Sequence, residues 1–410
     1  MDTILRRARI PSAPERLVDI GIDAGRIVAI ETGLAAEAEE LDVDGKLVSP
    51  GLVETHLHLD KSCILNRCKA ERGDLKEAIE EVARAKSAFT PEDVYQRARR
   101  TLERCILNGT THVRTHLEVD PGIGLRGLEG VLPLVKEYAW AVDLEICVFP
   151  QEGLLNNPGT EELMIAALKR GGHLIGACPY TDTNPHGQID RIFSMARDFG
   201  VDIDMHLDFD LNPAAMDLPH VCRRAQEFGY GGRVAVGHVT KLSALAAPEL
   251  AAMAKQLESA GVALTVLPST DLYLMGRPQD HNVVRGVTPA HRFLKHGVNC
   301  SLATNNVLNP FTPFGDCSLI RMANLYANIC QAGAASDIIE CFNMVPTRAA
   351  ALMHLNDYGL AVGKHADLVV LDCESPQAAV CEVASVLYAF KRGRRTVTRQ
   401  PAMLHRPNSA

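Results

Sequence analysis

No Cys-x-x-Cys pair occurs among the 12 cysteines of this 410-residue chain. Several cysteines lie inside apolar stretches such as Glu145-Ile146-Cys147-Val148-Phe149. They are therefore expected to be reduced, mostly buried thiols of a cytoplasmic protein. No uninterrupted apolar run reaches the roughly 20 residues a membrane helix needs. The opening Met1-Asp2-Thr3-Ile4-Leu5-Arg6-Arg7 lacks a long apolar core, so no signal peptide is expected. No basic stripe stands out against a net charge of −8, which argues against nucleic acid as a partner. Internal repeats and low-complexity tracts are missing as well. What remains is an ordinary globular composition, 47% hydrophobic and 22% charged, in a chain long enough to bury a full core.

The two ends of the chain share a style. Leu17 to Ile22 and Arg26 to Ile30 read as strands joined by the turn signal Asp23-Ala24-Gly25, which makes a hairpin. Another strand is expected over Asp42 to Val48. Near the other end, Ala366 to Asp372 and Val386 to Val397 repeat the pattern, with Arg392-Gly393 as a turn. Between these ends, short apolar runs alternate with amphipathic stretches. Eight strands are expected, at 48–53, 111–116, 144–149, 173–177, 202–206, 233–238, 263–267 and 298–302. The stretch from Pro91 to Leu107, with Glu92 and Asp93 in its first turn, is one of the intervening helices. Eightfold strand–helix alternation predicts an α/β fold, a (β/α)8 TIM barrel, with a small discontinuous β domain formed by the two termini. The expected boundaries are 1–50 and 356–410 for the small domain and 51–355 for the barrel.

Barrels of this kind carry their chemistry at the C-terminal ends of strands. Here those ends read His56-Leu57-His58, His116, Pro150-Gln151-Glu152-Gly153, His206-Leu207-Asp208, Gly237-His238 and Thr304-Asn305-Asn306. Four of these six ends carry histidine, out of 15 histidines in the chain. Alternate residues of a strand face the same way, so His56 and His58 can address one metal ion. His206 and His238 can reach the same point on the barrel axis. Imidazole nitrogen suits zinc, iron or nickel alike.

The motifs Gly51-Leu52-Val53-Glu54-Thr55-His56-Leu57-His58-Leu59-Asp60-Lys61, His112-Val113-Arg114-Thr115-His116, Val148-Phe149-Pro150-Gln151-Glu152-Gly153, Asp204-Met205-His206, Gly237-His238-Val239-Thr240 and Asn309-Pro310-Phe311-Thr312-Pro313-Phe314-Gly315 occur in this order along nearly the whole chain. Taken together they resemble the cytosine deaminase branch of the amidohydrolase superfamily, and they are also similar to the N-isopropylammelide amidohydrolases. The resemblance implies one divalent metal ion, zinc or iron, held by His56, His58 and His206. Gln151 would hydrogen-bond a ring amide of the substrate. His238 would polarise the carbon under attack or hold the oxygen. The metal would lower the pKa of a bound water towards neutrality, so that hydroxide is the nucleophile.

Two positions depart from the family pattern. Phe209 stands where a glutamate would carry a proton to the ring nitrogen, and Asn305 stands where an aspartate would be metal ligand and general base. An amide can offer oxygen to a metal but has no useful basicity. Asp208 and His238 are candidates for the missing acid–base work, which is worth roughly a hundred- to ten-thousand-fold in rate. Glu118 is another, though its plainer reading is a solvated loop acid. Asp60 is expected to orient a ligand histidine, Lys61 to pair with Asp60, and His116 to stand behind the ligands. His112, His173, His281 and His291 are read as structural. Phe209, Phe311 and Phe314 could wall a planar ring.

The leading expectation is thus a metal-dependent hydrolase of a C–N bond in a small nitrogen heterocycle or cyclic amide, with no nucleic-acid or membrane partner and a homo-oligomer left open. Phe209 fits a substrate that needs no proton from that side, or one with an apolar substituent there. The alternative is a cytosine-like aminopyrimidine or triazine deaminase with displaced acid–base residues. A third reading is a catalytically silent barrel with a binding role.

Overall fold

Among the described residues, sixteen strands run in chain order: β1 (Thr3–Ile10), β2 (Ala13–Asp23), β3 (Arg26–Glu31), β4 (Glu39–Asp42), β5 (Leu47–Pro50), β6 (Leu52–Leu57), β7 (Thr110–Glu118), β8 (Asp143–Phe149), β9 (Leu174–Ile175), β10 (Ile203–Leu207), β11 (Val234–His238), β12 (Val262–Val266), β13 (Cys300–Leu302), β14 (Leu368–Leu371), β15 (Val386–Lys391) and β16 (Arg394–Thr398). The computed structural model describes residues 1–400 and 402–405.

Strands β6 to β13 form one parallel sheet in sequence order. It closes where Leu57 bridges Asn305, with Asn305 N–H donating to His56 O at 2.8 Å and His58 N–H donating to Asn305 O at 2.9 Å. With helices between the strands, this is a (β/α)8 barrel. Its strands are buried on both faces, as a parallel sheet wrapped by helices requires. β7, for example, is buried at every residue although it carries Arg114, His112, His116 and Glu118. Hydroxyls tie the barrel interior together: Thr55 Oγ1 lies 2.9 Å from Ser301 Oγ, which lies 3.0 Å from Thr265 Oγ1.

The helix expected from Pro91 to Leu107 forms over that range. Thr90 caps it by accepting from Asp93 N–H, Pro91 occupies the first turn, and Glu92 and Asp93 oppose the helix dipole. Val94, Ala98, Thr101, Leu102 and Cys105 make its buried stripe.

The second sheet gathers both termini in the order β16-β15-β14-β5-β1-β2-β3, with β4 beside β1. Ala24 (φ 47°) and Gly25 (φ 78°) both adopt the left-handed region, the geometry of a tight two-residue hairpin between β2 and β3. β1 was not anticipated; its charged Arg6 and Arg7 obscure the apolar alternation. The strand expected over 48–53 is in fact two. Leu47–Pro50 pairs with β14 and β1 in the terminal sheet, and the barrel begins at Leu52. Gly51 marks the crossing, where a Cβ would meet the Thr111 side chain at 2.3 Å. The expected strand at 173–177 shortens to Leu174–Ile175. Among the described residues, no helix is long and apolar enough to cross a membrane, and eight of the twelve cysteines, all of them free, are buried.

Candidate metal centre and active site

The strand ends bring the histidines together. His56 is the next-to-last residue of β6, His58 follows that strand, His206 lies in β10 and His238 ends β11. The Nε2 atom of His206 lies 3.0 Å from the Nε2 atoms of both His56 and His58. Nitrogens held by one ion at about 2.0–2.1 Å stand about 3 Å apart, so this convergence suits a shared cation. His58 Nδ1 donates to His116 O at 3.0 Å, which fixes the tautomer and leaves Nε2 as a lone pair. All three rings are buried. Burial, then neighbouring imidazoles and, for His58, Lys61, push their pKa values well below the ordinary histidine range, so they stand neutral as ligands must.

Among the described residues, four groups of acidic and imidazole side chains have ligand atoms within 4.8 Å of one another. Three contain carboxylates, and each already holds a cation of the protein's own. Lys391 sits among His112, Asp143 and Asp367; Lys86 pairs with Glu118, Asp120 and Glu152; Arg114 pairs with Asp204 at 2.8 Å beside His116. The fourth group, His56, His206 and His238, has no such cation among the described residues. Asn305 adds to it from the barrel seam. Its Oδ1 and Nδ2 are buried and have no hydrogen-bond partner among the described residues, although its backbone bonds those of His56 and His58. An orphaned amide beside convergent neutral imidazoles fits a divalent ion, with His56, His58, His206 and Asn305 as the residues to hold it.

His238 stands beside this cluster with its ring turned by Asp271. Nδ1 lies 2.6 Å from Asp271 Oδ1, and both side chains are buried. His238 (φ 68°) and Val239 (φ 46°) are left-handed, and Thr288 Oγ1 donates to Val239 O at 2.8 Å to hold that turn. Burial raises the Asp271 carboxyl, and His238 pulls it back. Asp271 lies on the short helix Pro268–Leu274 after β12 and was not anticipated. The polar run Pro268-Ser269-Thr270-Asp271 after an apolar strand is the one trace of it in the sequence.

Gln151, following β8, accepts from Lys61 Nζ at 3.1 Å through Oε1, and its Nε2 donates to Cys178 Sγ at 3.4 Å. Lys61 therefore does not pair with Asp60. Its ammonium donates to Glu118 at 2.8 Å and lies 4.3 Å from the Phe311 ring centre. Glu118 is buried, not solvated. Burial would raise it, but Lys61 and Lys86 prevail and hold it at about 2. Asp60 accepts the backbone N–H groups of Lys61 and Glu118, at 2.9 and 2.8 Å, rather than orienting a histidine. His116 stacks on His56, centroids 3.8 Å apart, with neither nitrogen hydrogen-bonded among the described residues.

Phe209 and its neighbour Asp208 part company. Phe209 is buried, with its ring centre 3.8 Å from that of His238, and so belongs to the site wall. Asp208, the candidate substitute acid, turns away. Its carboxylate accepts the N–H groups of Asp217 and Leu218, at 2.9 and 3.0 Å, with Lys241 3.3 Å away. A left-handed backbone at Asp208 (φ 48°) aims it at that loop. Phe311 is buried near Lys61, whereas Phe314 is 59% exposed and walls nothing enclosed. His112 meets Lys391 at the opposite end of the barrel strands, His173 accepts from Ile146 N–H, His291 bonds Tyr326 and His281 is exposed beside Asp280, none of them near the cluster.

The sequence profile of the Amidohydrolase family matches residues 39–132 and 140–397. N-isopropylammelide isopropyl amidohydrolase of Pseudomonas sp. (strain ADP) is 28% identical over 402 residues, 96% of each chain. The crystal structure of 5-methylcytosine deaminase from Klebsiella pneumoniae, liganded with 5-fluorocytosine, superposes with a TM-score of 0.94 at 28% identity and covers 99% of this chain and 100% of that one. N-isopropylammelide isopropylaminohydrolase from Burkholderia multivorans gives 0.85 at 26% identity, over 96% and 98% of the two chains.

Proposed function

The chain belongs to the amidohydrolase family, and on that premise we propose that it hydrolyses a carbon–nitrogen bond of a small nitrogen heterocycle or cyclic amide. The observation that carries this reading is the convergence of the His56 and His58 Nε2 atoms on that of His206, each 3.0 Å away, all three imidazoles neutral. A divalent ion there, zinc or iron, would supply an activated water at neutral pH and draw charge from the ring carbon. His56, His58, His206 and Asn305 are the residues to hold it. Gln151 is fixed through Oε1 by Lys61, so it offers its amide N–H to a ring carbonyl or ring nitrogen. His238 faces the reacting centre. Relatives of this chain act on small nitrogen compounds, N-isopropylammelide in one case and 5-methylcytosine in another.

Phe209 favours a leaving amine with an apolar substituent over free ammonia. An aromatic ring cannot carry a proton, but it can cover alkyl carbon at about 25 cal/mol per Å² removed from water. The test is a panel of ring compounds in matched pairs, amino and N-alkylamino, assayed for ammonia and for alkylamine, with the metal quantified by elemental analysis. One metal per chain and faster release of the alkylamine are expected. Faster release of ammonia would move the assignment to aminopyrimidine or triazine deamination. Turnover indifferent to metal removal would overturn the hydrolase reading altogether.

A further inference from the structure

We propose that Asp271 is the positioning residue that makes His238 both acid and base for this reaction, replacing the two carboxyl groups absent at Phe209 and Asn305; this rests on the hydrolase reading above. Other buried carboxylates around the barrel mouth are engaged elsewhere. Glu118 is held by Lys61 and Lys86, Asp204 by Arg114, and Asp208 by two backbone amides and Lys241. Glu54 accepts from Thr304 and His56 N–H, and Asp60 from Lys61 and Glu118 N–H. Asp271 has no cationic partner other than His238 among the described residues. Besides the 2.6 Å contact to His238 Nδ1, it accepts one longer bond, from Leu267 N–H at 3.3 Å.

The consequence is a fixed tautomer. A carboxylate can only accept, so the proton sits on His238 Nδ1 and the Nε2 lone pair is left for the site. His238 Nε2 makes no hydrogen bond among the described residues, while a ring nitrogen of His238 lies within 4.8 Å of His56 and His206. The main chain is fixed too, by the left-handed pair His238–Val239 and the Thr288 hydroxyl. Ring and backbone are thus held from two sides.

The proton then makes a closed circuit. As water oxygen bonds the ring carbon, the pair of that carbon's double bond moves onto the atom it joins, one water proton passes to Nε2, and Asp271 stabilises the resulting imidazolium. The displaced pair then re-forms the double bond as the carbon–nitrogen bond breaks with its own electron pair going to the leaving nitrogen, and Nε2 returns the proton to that nitrogen. Oxygen and the second water hydrogen remain with the ring as the tautomer of a carbonyl, and the protein gains nothing. One imidazole backed by a carboxylate performs two transfers that otherwise need two acids.

The test compares Asp271→Asn and Asp271→Glu. An amide can donate to Nδ1 and so invert the tautomer, a change that costs about 10⁴ in kcat where a buried aspartate serves a catalytic histidine. Asp271→Asn should lose about 10³- to 10⁴-fold in kcat with KM within about threefold of the parent and metal content unchanged. Asp271→Glu should recover part of that loss. Nitrogen-15 NMR of histidine-labelled, metal-free protein should show His238 protonated at Nδ1 in the parent and at Nε2 in Asp271→Asn. The assignment is overturned by an unchanged tautomer in Asp271→Asn, or by a loss below about tenfold in metal-replete enzyme. Absence of turnover in the parent with every ring compound would sink the hydrolase reading instead, leaving the NMR comparison to decide the role of Asp271.

Discussion

The barrel carries a cluster of histidine and its partners at each end, and the two have opposite characters. At the end next to the terminal sheet, His112, Asp143 and Asp367 surround the Lys391 ammonium, which lies 2.8 Å from both carboxylates and 3.1 Å from Thr111 O. At the C-terminal end, His56, His58 and His206 surround no lysine or arginine head group among the described residues. Each end holds a group with ligand spacing among the described residues, His112, Asp143 and Asp367 at one and His56, His206 and His238 at the other. What separates them is charge. Two carboxylates cannot be left uncompensated inside a protein, so the chain supplies a lysine and the cluster becomes a rivet between β15 and the barrel. Neutral imidazoles carry no such obligation, and their lone pairs stay available. Ligand spacing alone therefore does not mark a metal site; spacing without an internal cation does.

The largest effect that would break this contrast is expected at His206, whose Nε2 is common to both short contacts. His206→Ala should lower bound metal to a small fraction per chain and reduce turnover by at least about a thousandfold, because an ion held there would be what lowers the pKa of a bound water towards neutrality. Elemental analysis and steady-state kinetics read both. Full metal occupancy in His206→Ala would place the ion elsewhere. Next in size is Lys391→Met, which strands Asp367 with 2% exposure. A stability loss of roughly 3 kcal/mol is expected from urea unfolding, with metal content and KM untouched. If activity fell and stability did not, the opposite end of the barrel would be no mere rivet.

Legibility in the sequence follows the same division. The placement of His56, His58, His206 and Gln151 was legible because each stands at or just past the C-terminal end of an apolar strand, and strand ends in a barrel point to one place. The barrel and the terminal sheet were legible from strand–helix alternation and paired turn signals. Asp271 was not, because it reaches the site from a short helix after β12, where neither period nor motif marks direction. Asp208 was misplaced because strand parity stops at the strand end, and its left-handed φ sends the carboxylate to the 217–218 loop. Lys61, Glu118 and Asp60 were read by sequence neighbourhood. Their real partners lie across β7 and β8, and in Lys86 on the helix Leu75–Lys86.

A third cluster sharpens the comparison, because it lies beside the active site yet is built like the rivet. Glu118 joins Lys61 and Lys86, and its pKa of about 2 lies below the ordinary 4.5. A depressed carboxyl stabilises the fold above its unfolded pKa, and the contribution is lost as pH falls through the folded value. Glu118→Gln should thus cost roughly 3 kcal/mol at neutral pH, as the loss of one partner from buried ion pairs does. The gap between parent and variant should shrink between about pH 4.5 and about pH 2 as the parent's own carboxylate is protonated. Urea unfolding at a series of pH values measures this. A gap independent of pH would mean that Glu118 acts through packing rather than charge.

The smallest change is expected from Asn305→Asp, and it asks whether charge alone tunes the histidine end. Asn305 already has its backbone locked between His56 and His58, so the substitution alters one side-chain group and little geometry. A carboxylate adds attraction for a divalent ion that an amide lacks, and metal loss to a chelator should slow by about tenfold or more. Activity need not rise in step. If the His238–Asp271 pair already moves the proton, a second base is redundant, and kcat should stay within about threefold of the parent. A gain of a hundredfold or more in kcat would instead show that the proton path runs through position 305, and that the Asp271 circuit is incomplete.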